Sequence, residues 1–563
     1  MRRRLHDNPT RRHVLKALAS LGIGTAVFHR ALAQDAANAK KINADMVKQA
    51  EWVAGLNLND EQRKTVVSGL ERTMRDLESL RAVKLTNAVA PALAFSPAPW
   101  LSVNCEGRGK VEPPATLKVK KPESEDDLAF LPITGLAALL RNKQVTSLEL
   151  TKLYLERLKK FNPAMRCVVN FTEELALQQA AAADREIAAG RYRGPLHGIP
   201  WGAKDLIAYP GTKTTWGASP YKEQSIDMKA TVAKRLEDAG AVMVAKLTLG
   251  ALAMGDRWFG GMTRNPWNPK RGSSGSSAGP ASATAAGCVG YSIGSETLGS
   301  IVSPCRECGT TGLRPTFGRV SRHGCMALSW SMDKIGPICR SVEDCALVFG
   351  AIHGFDGLDA AAVDRPFNWP CPRALKSLKV GYFEGNTAAD KRDDLKVLRE
   401  LGVTLVPIKQ SAKYPVNALR LILDVEAATA FDELARDQAD PEGLNLWLPT
   451  FRRGQFVPAV EYLRANRIRT LLMQEMEEIM KQVDLYVGGF DLVVCNLTGH
   501  PTVVLPTGFR KQGEMEMPYS ITFTGRLYGE SELLAVAHAY QQATGHHLKR
   551  PAMDKVTLEN AGA

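Results

Sequence analysis

Residues Arg271 to Arg319 constrain this chain more than any other stretch: RGSSGSSAGPASATAAGCVGYSIGSETLGSIVSPCRECGTTGLRPTFGR packs glycine and serine around two short elements. A flexible linker shares that composition but not its punctuation. Here the small residues from Pro280 to Cys288 predict a helix with proline in its permitted first turn, and Tyr291-Ser292-Ile293 predicts a strand. Such a stretch turns backbone amides toward a substrate with no side chain in the way, as an oxyanion hole requires, and sets hydroxyls beside them as nucleophiles. A serine hydroxyl attacks poorly until a base takes its proton. The candidate base is Lys204, which the run GPLHGIPWGAKD, Gly194 to Asp205, places among glycine, proline and apolar residues. Asp205 beside it leaves a plain ion pair open as the alternative. To accept a proton near neutral pH, a lysine must fall from ~10.4 toward ~7, a difference of roughly 4–5 kcal/mol that burial can supply, so Lys204 is expected to be buried.

Five linked motifs stand in order along the chain: NPWNP at Asn265–Pro269, SGSSAG at Ser274–Gly279, GSETLGS at Gly294–Ser300, Cys308-Gly309 with GLRPT at Gly312–Thr316, and GRVS at Gly318–Ser321. In these residues the chain resembles the amidase signature family of serine amidohydrolases, which is related to the glutaminase component of glutamyl-tRNA amidotransferase. The likeness is close over 129–345 and looser over 490–551. It implies an α/β fold with a mixed β-sheet covered by helices on both faces. It also implies that Ser300 is the nucleophile, Ser276 a bridging serine on a cis peptide after Gly275, and Lys204 the base, with the amides of Thr297, Leu298, Gly299 and Ser300 forming the oxyanion hole. The implied reaction is hydrolysis of a carbon–nitrogen bond in a small-molecule amide through an acyl-enzyme, with no metal or organic cofactor. Three positions depart from the family pattern: Leu298 replaces a glycine, Val302 replaces an arginine two positions after the nucleophile, and Pro280 replaces a small polar residue. Substrate contacts therefore do not carry over. Met254, Trp258 and Phe259 are the chain's own candidates for lining the pocket, with ordinary apolar packing as the alternative.

Other motifs compete. Gly275 to Gly279 fits G-x-S-x-G with Ser277 as nucleophile and His500 as its partner, but that elbow needs a strand directly before it, and Asn265 to Ser274 is polar and rich in Pro and Gly. His500 reads better as a turn residue. Ser331–Lys334 and Ser219–Lys222 each fit S-x-x-K without its companion motifs. Two further functions stay open: the glutaminase-type component of a tRNA-dependent amidotransferase, and an amidase-fold binding protein without turnover.

At the amino terminus, TRRHVLK (Thr10–Lys16) resembles a twin-arginine signal, followed by a short apolar stretch, Ala17 to Phe28, and a small-x-small site, Ala31-Leu32-Ala33, before Gln34. That stretch is far shorter than the ~20 apolar residues a bilayer core demands, so no stable membrane insertion is expected. Residues 1–33 are read as an export signal, with the twin-arginine machinery as the precursor's partner and a periplasmic or secreted mature protein. The same segment carries much of the formal charge of +13; without it 65 basic and 58 acidic residues remain. No basic block is interleaved with aromatics, so no nucleic acid partner is expected. The ten cysteines are too sparse for a disulfide framework, and Cys305–Cys308 has no second ligand pair for zinc. Nothing in the sequence sets an oligomeric state.

The remaining chain divides into a helical extension and linker over 34–128 and an amidase domain over 129–563, with 353–480 as an irregular helical cover. In the extension, Asn59 can cap a helix whose apolar positions Val66, Val67, Leu70, Met74, Leu77 and Leu80 recur at three- and four-residue steps. The linker is placed at 96–128. Thr146 or Ser147 opens a helix to Leu158. Helix–glycine–strand units appear at Lys229–Ala245 and Asp393–Val406. Leu492–Cys495, Thr502–Leu505 and Ile521–Phe523 are predicted strands before a last helix, Glu530–Thr544.

Overall fold

The computed structural model describes residues 42–85, 93, 108–112, 119–384, 389–410, 413–437, 440–444, 446–489, 492–513 and 515–562. The segment read as a signal and Cys105 lie outside the described residues, as does much of the expected linker. The chain forms two compact units, and the division differs from a boundary at 129: residues 415–440 and 445–468 cluster with the amino-terminal helices, whereas the rest of the chain beyond residue 92 clusters with the sheet.

In the smaller unit, Asn59 caps the helix Asp60–Ala82 in a full capping box with Gln62. Its expected stripe is buried at Val66, Leu70, Leu77 and Leu80, while Val67 and Met74 are half-buried. Val66 and Leu70 share a small core with Val47 and Ala50 of the helix Ala44–Ala54 and with Phe456. Beneath it, the buried Arg63 guanidinium meets Glu51 at 2.7 Å.

The larger unit is built on strands β1 (Val168–Phe171), β2 (Pro200–Lys204), β3 (Val242–Leu247), β4 (Arg257–Trp258), β5 (Gly261–Met262), β6 (Arg264–Asn265), β7 (Asn268–Gly272), β8 (Tyr291–Glu296), β9 (Thr311–Arg314), β10 (Lys334–Cys339), β11 (Lys379–Phe383), β12 (Thr404–Ile408), β13 (Leu485–Val487), β14 (Thr502–Gln512) and β15 (Met515–Gly525). Eleven of these make one mixed sheet in the order β1-β3-β2-β8-β10-β9-β14-β15-β13-β11-β12, and β4–β5 and β6–β7 are separate hairpins. Strands β3, β2 and β8 run parallel to one another. They are buried along their whole length. Burial on both faces is how parallel strands are normally accommodated. Helices cover the sheet; Ser147–Met165, capped by a Thr146–Glu149 box, contributes Leu155, Leu158 and Met165 to a core with Val242, Val244 and Leu247 of β3.

Three expectations are corrected here. Leu492–Cys495 is the start of a helix, Leu492–Thr498, and not a strand. A four-residue apolar run does not distinguish the two states. The stretch Asn265–Ser274 does contain a short strand, β7, paired only with β6. And the segment 353–480 is not all helical cover, because β11 and β12 within it are parallel edge members of the main sheet.

Asp205, directly after β2, does not pair with Lys204. Its carboxylate lies 3.0 Å from Lys246 of β3, with both side chains fully buried, and accepts from Thr215 N and Oγ1 at 2.9 and 2.5 Å. Burial lowers the Lys246 amine, and Asp205 opposes that shift. Breaking one partner of such a pair strands the other charge, so Lys246→Met should cost about 3–5 kcal/mol. The double variant Lys246→Met/Asp205→Leu should recover most of it, as measured by urea unfolding of the two proteins side by side.

Candidate functional site

Parallel strands β2 and β8 lie side by side, with Trp201, Gly202 and Ala203 opposite Tyr291, Ser292 and Ile293. Lys204 closes β2, and Ser295 and Glu296 close β8, so their side chains meet at the carboxyl edge of the sheet, where α/β folds gather their ligands. The Lys204 side chain is fully buried. Its Nζ lies 2.8 Å from Ser276 Oγ, 3.1 Å from Ser277 Oγ, 2.8 Å from Ser295 Oγ and 3.2 Å from Ser295 O. Among the described residues no carboxylate makes an ion pair with it. Burial is the main reason that its pKa falls to about 7, against weaker opposing pulls from Asp333 and Glu296.

That environment suits a neutral amine, which has two hydrogens and one lone pair. Ser295 O must accept. Ser277 already donates to the same carbonyl at 3.1 Å, so its oxygen is free to accept from Lys204. Ser276 can then donate its proton into the lone pair.

Ser276 follows Gly275 through a cis peptide bond. A Cβ on Gly275 would stand 1.8 Å from Gly255 O, so no larger residue fits before Ser276. The same loop is anchored by Asp256, whose Oδ2 accepts from Ser274 N at 3.1 Å. Ser276 and Ser277 then lead into the helix Ala278–Ala285, whose Gly279 presses on Thr248 N and Cys167 O; a Cβ there would come within 2.4 and 2.5 Å.

Ser300 enters the same neighbourhood through its backbone: Ser277 N donates to Ser300 O at 3.1 Å. Thr297, Gly299 and Ser300 are buried, and Leu298 is half-buried. Two carboxylates fix the ends of this loop. Glu296 accepts from the N–H groups of Ile301 and Val302 at 2.8 and 2.9 Å, from Arg314 at 2.7 Å and from Asn496 Nδ2 at 2.8 Å. Burial alone would raise its carboxyl, but Arg314 and Lys334 overcome that and hold it at about 2. Asp333 accepts from Thr297 Oγ1 at 2.5 Å and from the N–H groups of Leu328 and Ser329 at 2.8 and 2.9 Å. With Val302 in place of an arginine, the guanidinium beside Glu296 comes from β9.

The pocket candidates divide. Met254 is half-buried and lies in the turn that presses on Gly275: a Cβ on Gly250 would meet Met254 O at 2.0 Å and Gly255 O at 2.1 Å. Trp258 and Phe259 belong to the β4–β5 hairpin and its turn, pack edge to face at 4.7 Å, and are tied by Phe259 N to Gly217 O.

The competing motifs go elsewhere. Ser331 Oγ accepts from Arg469, and Lys334 donates to Met332 O. Ser219 donates to Glu442 O, and Lys222 is exposed. His500 is buried against Thr498 Oγ1 at 2.8 Å, with burial lowering its pKa to about 3. The thiols of Cys305 and Cys308 are buried, which keeps them protonated. Among the described residues no group of three or more His, Cys, Asp or Glu could hold a metal ion. No helix among them is long and apolar enough to cross a membrane. Ser277, Ser295, Asp256, Asp333, Arg314 and Asn496 are the residues that sequence reasoning missed. For Ser277 and Ser295 the signal was present, since both stand inside the two serine motifs.

The Amidase family model matches residues 149–489, more than half of the chain. The glutaminase component of the glutamyl-tRNA(Gln) amidotransferase from Moorella thermoacetica is 33% identical over 494 residues, covering 76% of this chain and 99% of that protein. The solved peptide amidase from Stenotrophomonas maltophilia superposes with a TM-score of 0.67 at 29% identity, over 75% of this chain and 98% of that one. A bacterial aryl acylamidase at 20% identity and TM-score 0.65, over 77% of this chain and 99% of its own, shares the fold. With an amine-and-serine cluster at the sheet edge and matches of this extent, the chain is a member of the amidase signature family, whose enzymes hydrolyse amide bonds.

Proposed function

We propose that the protein hydrolyses small-molecule amides by a Lys204–Ser276–Ser300 relay. The observation that carries this reading is a buried amine, lowered to about 7, 2.8 Å from Ser276 Oγ, with its nearest neighbours all serines. Neutral Lys204 takes the Ser276 proton as Ser276 takes that of Ser300. The Ser300 oxygen bonds to the amide carbonyl carbon, and the oxyanion is held by the amides of Thr297, Leu298, Gly299 and Ser300. The tetrahedral adduct collapses as the relay returns the proton to the nitrogen, and the amine leaves. Water then attacks the acyl-enzyme, gives its proton to the relay, and releases the acid and free Ser300.

Likeness to the peptide amidase places amino-acid and peptide amides first among substrates to try. The amidotransferase relatives favour a second reading, the glutaminase-type component of such a complex, whereas the segment read as an export signal favours an enzyme that works alone. We further propose that residues 1–33 direct export through the twin-arginine route to the periplasm or beyond.

Ammonia or amine release from a panel of such amides by the chain lacking residues 1–33 separates the two enzyme readings; activity without any partner supports the first. Ser300→Ala should lower kcat at least about 10³-fold with the unfolding curve unchanged. Because the amine must be neutral to act, kcat/KM should rise tenfold per pH unit below about 7 and level off above it. Lys204→Ala should abolish that plateau and leave a small rate that climbs with hydroxide; an unchanged profile makes the lysine structural. For export, the secreted protein should begin at Gln34 by amino-terminal sequencing, and Arg11→Lys/Arg12→Lys should hold the precursor inside the cell.

A further inference from the structure

A second cavity, of about 280 Å³, opens on the opposite side of the two serine-bearing helices. It borders Ala285 at the end of the helix Ala278–Ala285 and Cys308 at the end of Val302–Cys308, whereas Ser276 and Ser300 precede the starts of those helices. At 1.5 Å per residue it lies roughly 10–12 Å from the serines, and no residue around Lys204 lines it. Its volume sits just under the ~300 Å³ at which small-molecule sites begin.

One wall is apolar, formed by Phe130, Pro132, Trp267 and Leu548. The other carries Arg340, Lys549 and Arg550 against a single carboxylate, Glu343. Lys549 and Arg550 reach outward to Glu516 and Asp127, at 2.6 and 2.7 Å. Arg340 has no ion pair among the described residues. It is held by the carbonyls of Val289 and Leu131 at 2.7 and 2.8 Å, and its buried Nε has no partner. His547 lines the same cavity, and its buried Nδ1 is likewise unpartnered. Burial and the neighbouring histidines keep that ring neutral, so one ring nitrogen carries a proton to give. Burial also raises the Glu343 carboxyl, which weakens the one negative charge in the wall. Buried donors without acceptors are rare and unfavourable, and a ligand supplying acceptors satisfies them.

We propose that this cavity binds a small organic carboxylate with an apolar body: the carboxylate accepts from Arg340 Nε and His547, and the body lies against Trp267 and Phe130. Charge fixes the sign of the ligand, the aromatic wall fixes its apolar part, and the volume limits it to about the size of an arylalkanoic acid.

The test uses 3-phenylpropanoate as the probe, titrated into the full chain carrying Ser300→Ala, so that binding is read without turnover and does not depend on the amidase reading. The Trp267 indole N–H signal, assigned with Trp267→Phe, should shift saturably, and 3-phenylpropanamide and 3-phenylpropylamine should leave it in place. Lys549→Glu/Arg550→Glu changes partly exposed residues and should weaken the acid at least tenfold. Leu548→Trp, at an exposed position, should fill the cavity and abolish the shift with circular dichroism unchanged. Equal affinity in the charge-reversed protein, equal binding of the neutral amide, or the absence of a saturable Trp267 shift overturns the proposal.

Discussion

A lysine amine taken out of water with no carboxylate to compensate it is the constraint on which this molecule turns. Such an amine is far more favourable neutral than charged, and the fold keeps it neutral by surrounding it with hydroxyls and one carbonyl. The acidic residue next in sequence would undo this if it faced the same way. Strand alternation sends Asp205 to the other side, where Lys246 of the adjacent parallel strand receives it. Two lysines and one aspartate within a few residues of the β2–β3 ladder are thus sorted into a neutral base and a closed ion pair.

The charges that do stand near the site are committed to backbone. Glu296 directs its four acceptor contacts to two amides just beyond Ser300, to Arg314 and to Asn496, and Asp333 ties down Thr297 and the turn at Leu328 and Ser329. A loop whose amides must converge on a developing oxyanion is useful only if it does not relax, and these contacts hold it at both ends. Leu298 is tolerated in that loop because the hole asks only for its N–H, and its side chain is the least buried of the four.

The parts of this arrangement that were readable in the sequence are those encoded in contiguous residues. Lys204, Ser276 and Ser300 could be named because the serine motifs and the uncharged run before Asp205 are local patterns, and Asn59 and Thr146 could be named as caps for the same reason. The partner of Asp205 could not, since it depends on which strand lies beside β2. Arg314 and Asn496 reach Glu296 from β9 and from a helix near the carboxyl end, and only the sheet order brings them there. Leu492–Cys495 was misread for a related reason. Its apolar run suits a strand in isolation, but as a helix it delivers Asn496 to Glu296, with Nδ2 also bonded to Leu492 O at 2.8 Å. The regrouping of residues 415–440 and 445–468 with the amino-terminal helices is long-range packing, which leaves no local mark.

Trp258 and Phe259 ride on a hairpin that shares no ladder with the eleven-stranded sheet, whereas the relay and its anchors are built from the ends of that sheet. Exchanging or lengthening the hairpin leaves every strand register of the sheet as it is. Diversification of what such a protein acts upon is thereby uncoupled from preservation of how it acts, and one chemical engine can be refitted many times over.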